Sequence, residues 1–237
     1  LYSPEEIVRG PDADDWWETG WRGRPPFIMK QVANRMKGMS RQDLKAALAH
    51  HFALVTVIDM EIGRVLEWLR DAGELENTIV VYTADHGDFA GDHGIFRKNI
   101  GIYESIHRIP FIPSYPGGPR NETRSELIES VDLFPTLCEL AQVPAPGGLD
   151  GRSILPEAEG RGNGKSRALC EWDFPAPQRR VLALRTDRYR LVHYSREHGG
   201  ELYDHGNDPF EMHNRYDDPE YRDVRLELTE RLLDEIR

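Results

Sequence analysis

The sequence predicts an α/β fold: part of a mixed, mostly parallel sheet flanked by helices, followed by a small α+β subdomain. Apolar residues recur at helical spacing from Ser40 to near Gly73, and a β-branched strand pattern follows at residues 78–84. A helix followed by a continuous β-branched run is typical of a buried parallel strand. After residue 160 the pattern changes to short alternating segments and one amphipathic helix. That change predicts an antiparallel sheet with a single helix.

The first predicted elements can be justified in order along the chain. Residues 1–39 are rich in Pro, Gly, Asp and Trp and lack periodicity, so we expect an irregular excursion over the surface. Ser40 is a favourable N-cap for the long helix, with Asp43 three residues on. A short apolar run at residues 109–112 predicts the next strand of the sheet. Residues 129–141 then show helical spacing.

A Pro- and Gly-rich linker at residues 144–164 predicts a domain boundary. We expect residues 1–160 to belong to the α/β core and residues 161–237 to form the small antiparallel subdomain. Alternating residues predict three strands in that subdomain, and an amphipathic pattern predicts its helix. The predicted strands cover residues 183–186, 189–194 and 201–204, and the helix covers about 219–236.

The charge balance restricts the kinds of partner. A formal net charge of −11 and a pI near 5.3 argue against a nucleic-acid or anionic-membrane binder, because such proteins need a basic surface. No apolar run approaches the roughly 18 residues of a membrane span, and the first residues carry no secretion signal. We therefore expect a soluble protein whose targeting region, if any, lies outside this sequence, and the sequence does not predict its compartment.

A metal-ligand pattern lies where the strand of residues 78–84 ends. Asp85 and His86 follow it directly, and Gly87 lets the chain turn. Open α/β sheets present reactive side chains at the carboxyl ends of their strands. Asp and His supply one oxygen and one nitrogen to a divalent cation, so the sequence predicts a metal site there.

The order of motifs around this pair resembles the sulfatase family of the alkaline phosphatase superfamily. The similarity extends over most of residues 50–215, and it identifies the chain as the carboxyl-terminal half of such an enzyme. The matching segments are residues 58–64, 77–88, 91–94, Lys98, 103–104, 108–110, 131–136, 151–153, 201–204 and 208–209.

The resemblance implies roles for individual residues. Asp85 and His86 match the pair that binds a divalent cation in relatives, usually Ca²⁺. Because calcium prefers oxygen ligands, the histidine leaves Mn²⁺, Mg²⁺ and Zn²⁺ open. Lys98 matches the lysine that contacts the sulfate group, and His93 in the same loop is a further candidate catalytic residue. The implied substrate is a sulfate ester of a small molecule or sugar.

One departure from the family pattern concerns the nucleophile. Sulfatases use a formylglycine made from the Cys or Ser of a Cys/Ser-x-Pro-x-Arg motif. Neither Cys138 nor Cys170 fits that motif, and no serine does. We therefore expect the nucleophile to lie outside this chain and the isolated chain to be inactive. The missing amino-terminal half, or another chain, is expected to cover the exposed sheet.

Two alternative functions remain open from the sequence. A phosphodiesterase or phosphonate monoester hydrolase of the same superfamily would use the same cation and lysine on a tetrahedral phosphoryl group. A non-catalytic module that binds anions or glycans would keep only a structural metal.

Overall fold

In the computed structural model, the structure describes residues 1–98, 101–174, 179–196 and 199–235. It contains helices and strands in mixed order, as the predicted α/β class requires, together with several single-turn 3₁₀ segments. The helices are α1 (Asp15–Thr19), α2 (Pro26–Met36), α3 (Arg41–Asp71), α4 (Glu104–His107), α5 (Leu133–Leu140), α6 (Leu155–Ala158) and α7 (Arg222–Glu235). The strands are β1 (Val80–Thr83), β2 (Phe111–Ser114), β3 (Ala168–Phe174), β4 (Arg179–Arg185), β5 (Tyr189–Tyr194) and β6 (Gly200–Asp204).

The chain divides into two compact units, each assembled from separate stretches of sequence. This grouping follows contacts in space, whereas the predicted boundary after residue 160 follows composition along the chain, and that boundary stays a prediction. Unit 1 comprises Leu1–Asp59, His86–Arg108 and Leu169–Arg237, and unit 2 comprises Met60–Asp85 and Ile109–Ala168.

The prediction of an irregular segment at residues 1–39 is wrong in part, because α1 and α2 lie within it. Pro26 occupies the first turn of α2, where its missing N–H costs no hydrogen bond. Ile28, Val32 and Met36 follow at intervals of four and are buried in the core of unit 1. The helix is thus stabilised by tertiary packing of one face.

The long helix α3 confirms the predicted helix and its start. The hydroxyl of Ser40 accepts a hydrogen bond from the Asp43 N–H at 3.1 Å, and the Asp43 carboxylate accepts one from the Ser40 N–H at 2.8 Å. This reciprocal capping satisfies two donors that a helix start otherwise leaves without partners. Further along α3, Ile58, Val65 and Trp68 are exposed. That the missing amino-terminal half or another chain covers these side chains stays a prediction.

The predicted antiparallel sheet with one helix is confirmed in unit 1. Its four strands lie in the order β3-β4-β5-β6, with β5 antiparallel to both β4 and β6. Strand β3 had not been predicted. Side chains alternate between two faces, so one face packs against α7 and the other against the loops of unit 1. The first face contributes Leu182, Leu184, Leu191 and Leu202, and the second contributes Val181, Ala183, Val192, Tyr194 and Tyr203.

In unit 2, β1 pairs with β2 in an antiparallel ladder that places Val81 opposite Pro113. The expectation of a parallel strand is therefore wrong for this pair. A β-branched run reports a strand that packs well, but it does not determine the direction of the neighbouring strand. Tyr82 in β1 is 40% exposed, so this strand is also less buried than the run suggested. Unit 2 also contains the carboxyl-terminal part of α3 and helices α5 and α6.

A buried carboxylate lies at the centre of unit 1. Glu201 in β6 is fully buried and accepts a hydrogen bond from the Tyr103 hydroxyl at 2.6 Å. The hydroxyls of Tyr194 and Tyr203 donate to the same carboxylate. Tyr194 and Tyr203 belong to the sheet, whereas Tyr103 belongs to the segment before α4. Glu201 therefore joins the sheet to that segment.

We predict that replacing Glu201 by Ala lowers the free energy of unfolding by about 3 kcal/mol or more. Three buried hydroxyls would lose their acceptor, and each such loss costs on the order of 1 kcal/mol or more. Denaturation in urea, followed by circular dichroism, measures the change. Glu227→Ala is the control, because the Glu227 side chain on α7 is 69% exposed. Equal losses in the two variants would contradict the prediction.

Candidate metal and anion site

The imidazole of His86 has a defined tautomer. Its Nδ1 lies 2.7 Å from the Gly87 carbonyl oxygen, so Nδ1 carries the proton and donates it. The ammonium of Lys98 contacts Nε2 and donates to it. Nε2 is therefore the unprotonated ring nitrogen, and a metal ion would bind it in place of the Lys98 ammonium.

The residues predicted to bind a metal fit a divalent cation chemically. Asp85 follows β1 and is exposed, and His86 is half-buried with Nε2 as its unprotonated nitrogen. Lys98 is half-buried beside the imidazole, so the structure brings together two of the predicted site residues. A carboxylate and an imidazole suit Mn²⁺, Mg²⁺ or Zn²⁺, and they suit Ca²⁺ when further oxygen ligands are present.

The loop from His86 to Lys98 is held by side chains that bind its backbone. The Asp88 carboxylate accepts the N–H groups of Ala90 at 2.8 Å and Arg97 at 3.0 Å, which closes the loop on itself. Arg35 of α2 donates to the carbonyl oxygen of Lys98. The backbone is thus held at Arg97 by Asp88 and at Lys98 by Arg35.

This loop also departs from ordinary backbone geometry. Its φ angles are positive at Ala90 (43°), His93 (54°) and Arg97 (72°), and at Gly91 (99°) and Gly94 (76°). Positive φ is unfavourable for residues other than glycine, and it persists only where surrounding contacts enforce it. The loop shape therefore depends on what surrounds it.

His93, the other predicted catalytic residue, is 3% exposed and lies in the core of unit 1. Its Nδ1 is 3.1 Å from an oxygen of Asp15, and its N–H donates to Asp12 at 3.0 Å. The indole N–H of Trp21 donates to the His93 carbonyl oxygen at 3.0 Å. These contacts are those of a residue that anchors the loop, and the catalytic role stays a prediction. Sequence reasoning missed Asp12 and Asp15, because both lie in the stretch without periodicity.

A second cluster of charged side chains involves residues that sequence reasoning also missed. Glu104, His205 and Glu211 could supply ligands to a cation, since their potential ligand atoms lie within 4.8 Å of one another. However, the Arg190 guanidinium donates to Glu104 and lies 3.3 Å from Glu211. The Arg190 guanidinium therefore already supplies the positive charge that a bound metal ion would bring. The nearest sequence signal was the Asp208-Pro209 pair that precedes Glu211.

Comparison with known families decides the classification. The chain matches the sulfatase family over residues 10–143. It also matches the carboxyl-terminal region of N-sulphoglucosamine sulphohydrolase over residues 91–237. The chain belongs to the sulfatase family. The resemblance predicted from the motifs is thereby confirmed.

Individual sulfatases show the same similarity. The chain is 32% identical to an N-acetylglucosamine-6-O-sulfatase of Bacteroides thetaiotaomicron, covering 93% of this chain and 41% of the relative. It is 31% identical to an arylsulfatase of Clostridium perfringens, covering 98% of this chain and 48% of the relative. The chain thus spans less than half the length of these curated relatives.

Solved structures share the fold. A protein crystallised with its substrate, D-glucosamine-2-N,6-O-disulfate, superposes with a TM-score of 0.74 at 30% identity, covering 95% of this chain and 47% of that protein. The phosphonate monoester hydrolase of Agrobacterium radiobacter superposes with a TM-score of 0.83 at 23% identity, covering 98% and 51%. Both superpositions show likeness of fold, and the assignment of that fold to the sulfatases rests on the family match.

Membership of the sulfatase family implies a divalent metal ion. Asp85 and His86 offer a carboxylate and an imidazole to such an ion, and their role as its ligands stays a prediction. In the part of the chain that the structure describes, no helix has both the length and the apolar character needed to cross a bilayer.

We predict that replacing Asp92 by Asn stabilises the protein above pH 6. Burial, together with the nearby Asp12 charge, raises the pKa of Asp92 to about 6. Between about pH 4 and about pH 6, Asp92 is therefore protonated in the folded protein and ionised in the unfolded chain. The free energy of unfolding falls as pH rises through this range. The variant lacks this fall and should gain about 1–2 kcal/mol at pH 7.5, allowing for partial solvent screening.

Denaturation in urea at pH 4.5 and at pH 7.5 measures that difference. Asp150→Asn, an exposed carboxylate in unit 2, is the control. A gain for Asp92→Asn that is the same at both pH values would contradict the assignment of the raised pKa.

Proposed function

We propose that this chain is part of a sulfuric ester hydrolase and carries half of its metal and sulfate site. The observation that carries the proposal is the contact between the Lys98 ammonium and His86 Nε2 within one ordered loop. A lysine that contacts a metal-ligand nitrogen lies where it can also contact an anion bound to that metal. Membership of the sulfatase family supports sulfate as that anion.

In this proposal Asp85 and His86 hold the divalent cation, with Ca²⁺ the first candidate and Mn²⁺, Mg²⁺ or Zn²⁺ the alternatives. The cation would offset negative charge on the sulfate oxygens when bound. Lys98 supplies a compact positive charge to the same oxygens, and that charge counts most where water is excluded. The Nδ1–H bond to Gly87 keeps His86 in the tautomer that binds through Nε2. The nucleophile, expected to be a formylglycine, lies outside this sequence.

The proposed substrate is a sulfate ester on a sugar. Support comes from the relatives, one of which is an N-acetylglucosamine-6-O-sulfatase, and from the structure crystallised with a disulfated glucosamine. The sugar itself and the position of its sulfate group stay open, because this chain covers less than half of each of these relatives.

A phosphonate monoester hydrolase is the second candidate, because such an enzyme shares the fold. A tetrahedral phosphoryl group would meet the same cation and lysine. Comparing the hydrolysis of aryl sulfate and aryl phosphonate esters by the full-length protein separates the two candidates. A non-catalytic glycan-binding module would hydrolyse neither ester.

We predict that Lys98→Gln in the full-length protein lowers kcat/KM for an aryl sulfate by about 10²–10³, the usual effect of losing one charge-stabilising donor. Arg97→Gln is the matched control, since it removes a neighbouring positive charge from an exposed side chain. Its effect should be less than about threefold, within the range of an exposed substitution. Equal losses in both variants would contradict the assignment of Lys98 to the anion.

We predict that a chelator abolishes sulfate ester hydrolysis by the full-length protein and that a divalent cation restores it. Asp85→Asn should weaken cation binding by 10-fold or more, because it removes a charged oxygen ligand. Isothermal titration calorimetry with Ca²⁺ and with Mn²⁺ measures the affinity and ranks the two ions. Asp150→Asn is the control, since it removes the charge of an exposed carboxylate outside the site loop and should leave the affinity unchanged. Unchanged affinity in Asp85→Asn would contradict the proposed ligand.

A further inference from the structure

The backbone beside His86 rests directly on helix α4. The N–H of Gly87 donates to the carbonyl oxygen of Ile106 at 2.7 Å. A Cβ atom on Gly87 would lie 2.0 Å from the carbonyl oxygen of Ser105, so only glycine permits this approach. The position of His86 therefore depends on the position of α4.

Helix α4 has four residues, which is too short for stability of its own. Its start is fixed by a residue far along the chain, Glu211, whose Oε2 accepts the N–H of Glu104 at 2.8 Å. Arg190 donates to the Glu104 carboxylate, and its Nε lies 3.3 Å from Glu211 Oε1. Glu211 thus binds the first N–H of α4 directly and its first side chain through Arg190.

Glu211 is itself held in one position. It is 1% exposed, and its φ of 53° is unusual for a residue with a side chain. Its carbonyl oxygen accepts a hydrogen bond from Arg24 at 3.0 Å, and His205 Nε2 lies 3.0 Å from its Oε1. Burial raises the pKa of Glu211, but the Arg190 charge and the His205 hydrogen bond outweigh it and lower the pKa to about 2. The side chain is therefore an anion at neutral pH.

The cluster of Glu104, His205 and Glu211 is better explained by fixing the start of α4 than by binding a metal cation. Arg190 is 2% exposed and contacts both carboxylates, so its guanidinium supplies the positive charge that a cation would bring. A second cation beside it would be repelled.

We propose that Glu211 is a positioning residue for the metal and anion site: it fixes α4, α4 fixes Gly87, and Gly87 fixes His86 opposite Lys98. The proposal rests on the proposed function of His86 and Lys98. In this proposal Glu211 acts through α4, by its bond to the Glu104 N–H and by the Arg190 guanidinium that contacts both carboxylates.

The test compares Glu211→Gln with Glu157→Gln in the full-length protein. Glutamine keeps the shape of the side chain and removes the charge that holds Arg190. Glu157 is the matched control, because it is also buried (3% exposed) and also paired with an arginine, Arg152 at 2.6 Å, but it lies in unit 2. Both variants should lose comparable stability.

Two measurements distinguish positioning from stability. Peptides that contain Gly87 should exchange amide hydrogen faster in Glu211→Gln than in the control. Ca²⁺ affinity, measured by calorimetry, should fall about 10-fold in Glu211→Gln, the lower end for residues that orient a metal ligand from behind. The Ca²⁺ concentration that gives half-maximal hydrolysis should rise by the same factor, whereas kcat at saturating Ca²⁺ should recover.

Equal behaviour of the two variants in exchange and in Ca²⁺ affinity would overturn the proposal and leave the proposed function intact. If the unsubstituted protein neither binds Ca²⁺ or Mn²⁺ nor hydrolyses sulfate esters, the proposed function fails and the positioning role fails with it. If Glu211→Gln does not fold, Glu104→Gln replaces it. That variant loses the Arg190 ion pair but keeps the backbone bond to Glu211, and it should show the same changes to a smaller extent.

Discussion

Unit 1 is organised around a carboxylate that has no access to water. Glu201 lies in the last strand of the sheet, and its oxygens are satisfied by phenol hydroxyls from two strands and from Tyr103. A polar group in such a place is tolerated only when its hydrogen-bond partners are in position, so the sheet and the Tyr103 segment depend on each other. One residue further on, Glu104 begins α4 and joins the network of Arg190 and Glu211. The two networks thus meet at the adjacent residues Tyr103 and Glu104, where α4 begins.

The site loop gains its order from outside itself. Between His86 and Lys98 there is one 3₁₀ turn, and the rest of the loop has no regular backbone ladder. Its shape comes from three kinds of contact: the Asp88 carboxylate within the loop, Arg35 from α2, and the His93 side chain inserted among Asp12, Asp15 and Trp21. A loop built in this way presents its functional groups at the surface while its backbone polar groups remain satisfied. The amino-terminal part of unit 1 therefore holds this loop in place.

Much of the local structure followed from the sequence, because local rules govern it. The Ser40–Asp43 cap, the long α3 pattern and the alternation in β4 to β6 each depend on residues that are close to one another in the sequence. Asp85, His86 and Lys98 came from motif order, and the structure brings His86 and Lys98 together. Three features could not be obtained in this way: the antiparallel direction of β2 beside β1, the packing that makes α2 a helix, and the partners of Glu104 and His93. Glu211 lies 107 residues from Glu104, and Asp15 lies 78 residues from His93. Contacts across such distances leave no periodicity for a single sequence to show.

The left-handed backbone at Ala90, His93 and Arg97 has a consequence for how activity would respond to heat. Each of these residues is kept in an unfavourable conformation by its neighbours, so the loop relaxes as soon as those neighbours loosen. Local opening of this kind requires less free energy than unfolding of the whole unit. Warming would therefore release the loop, and with it the alignment of His86 and Lys98, while the sheet of unit 1 remains intact. For the proposed enzyme, heat would therefore abolish activity before unit 1 unfolds, and cooling would restore that activity.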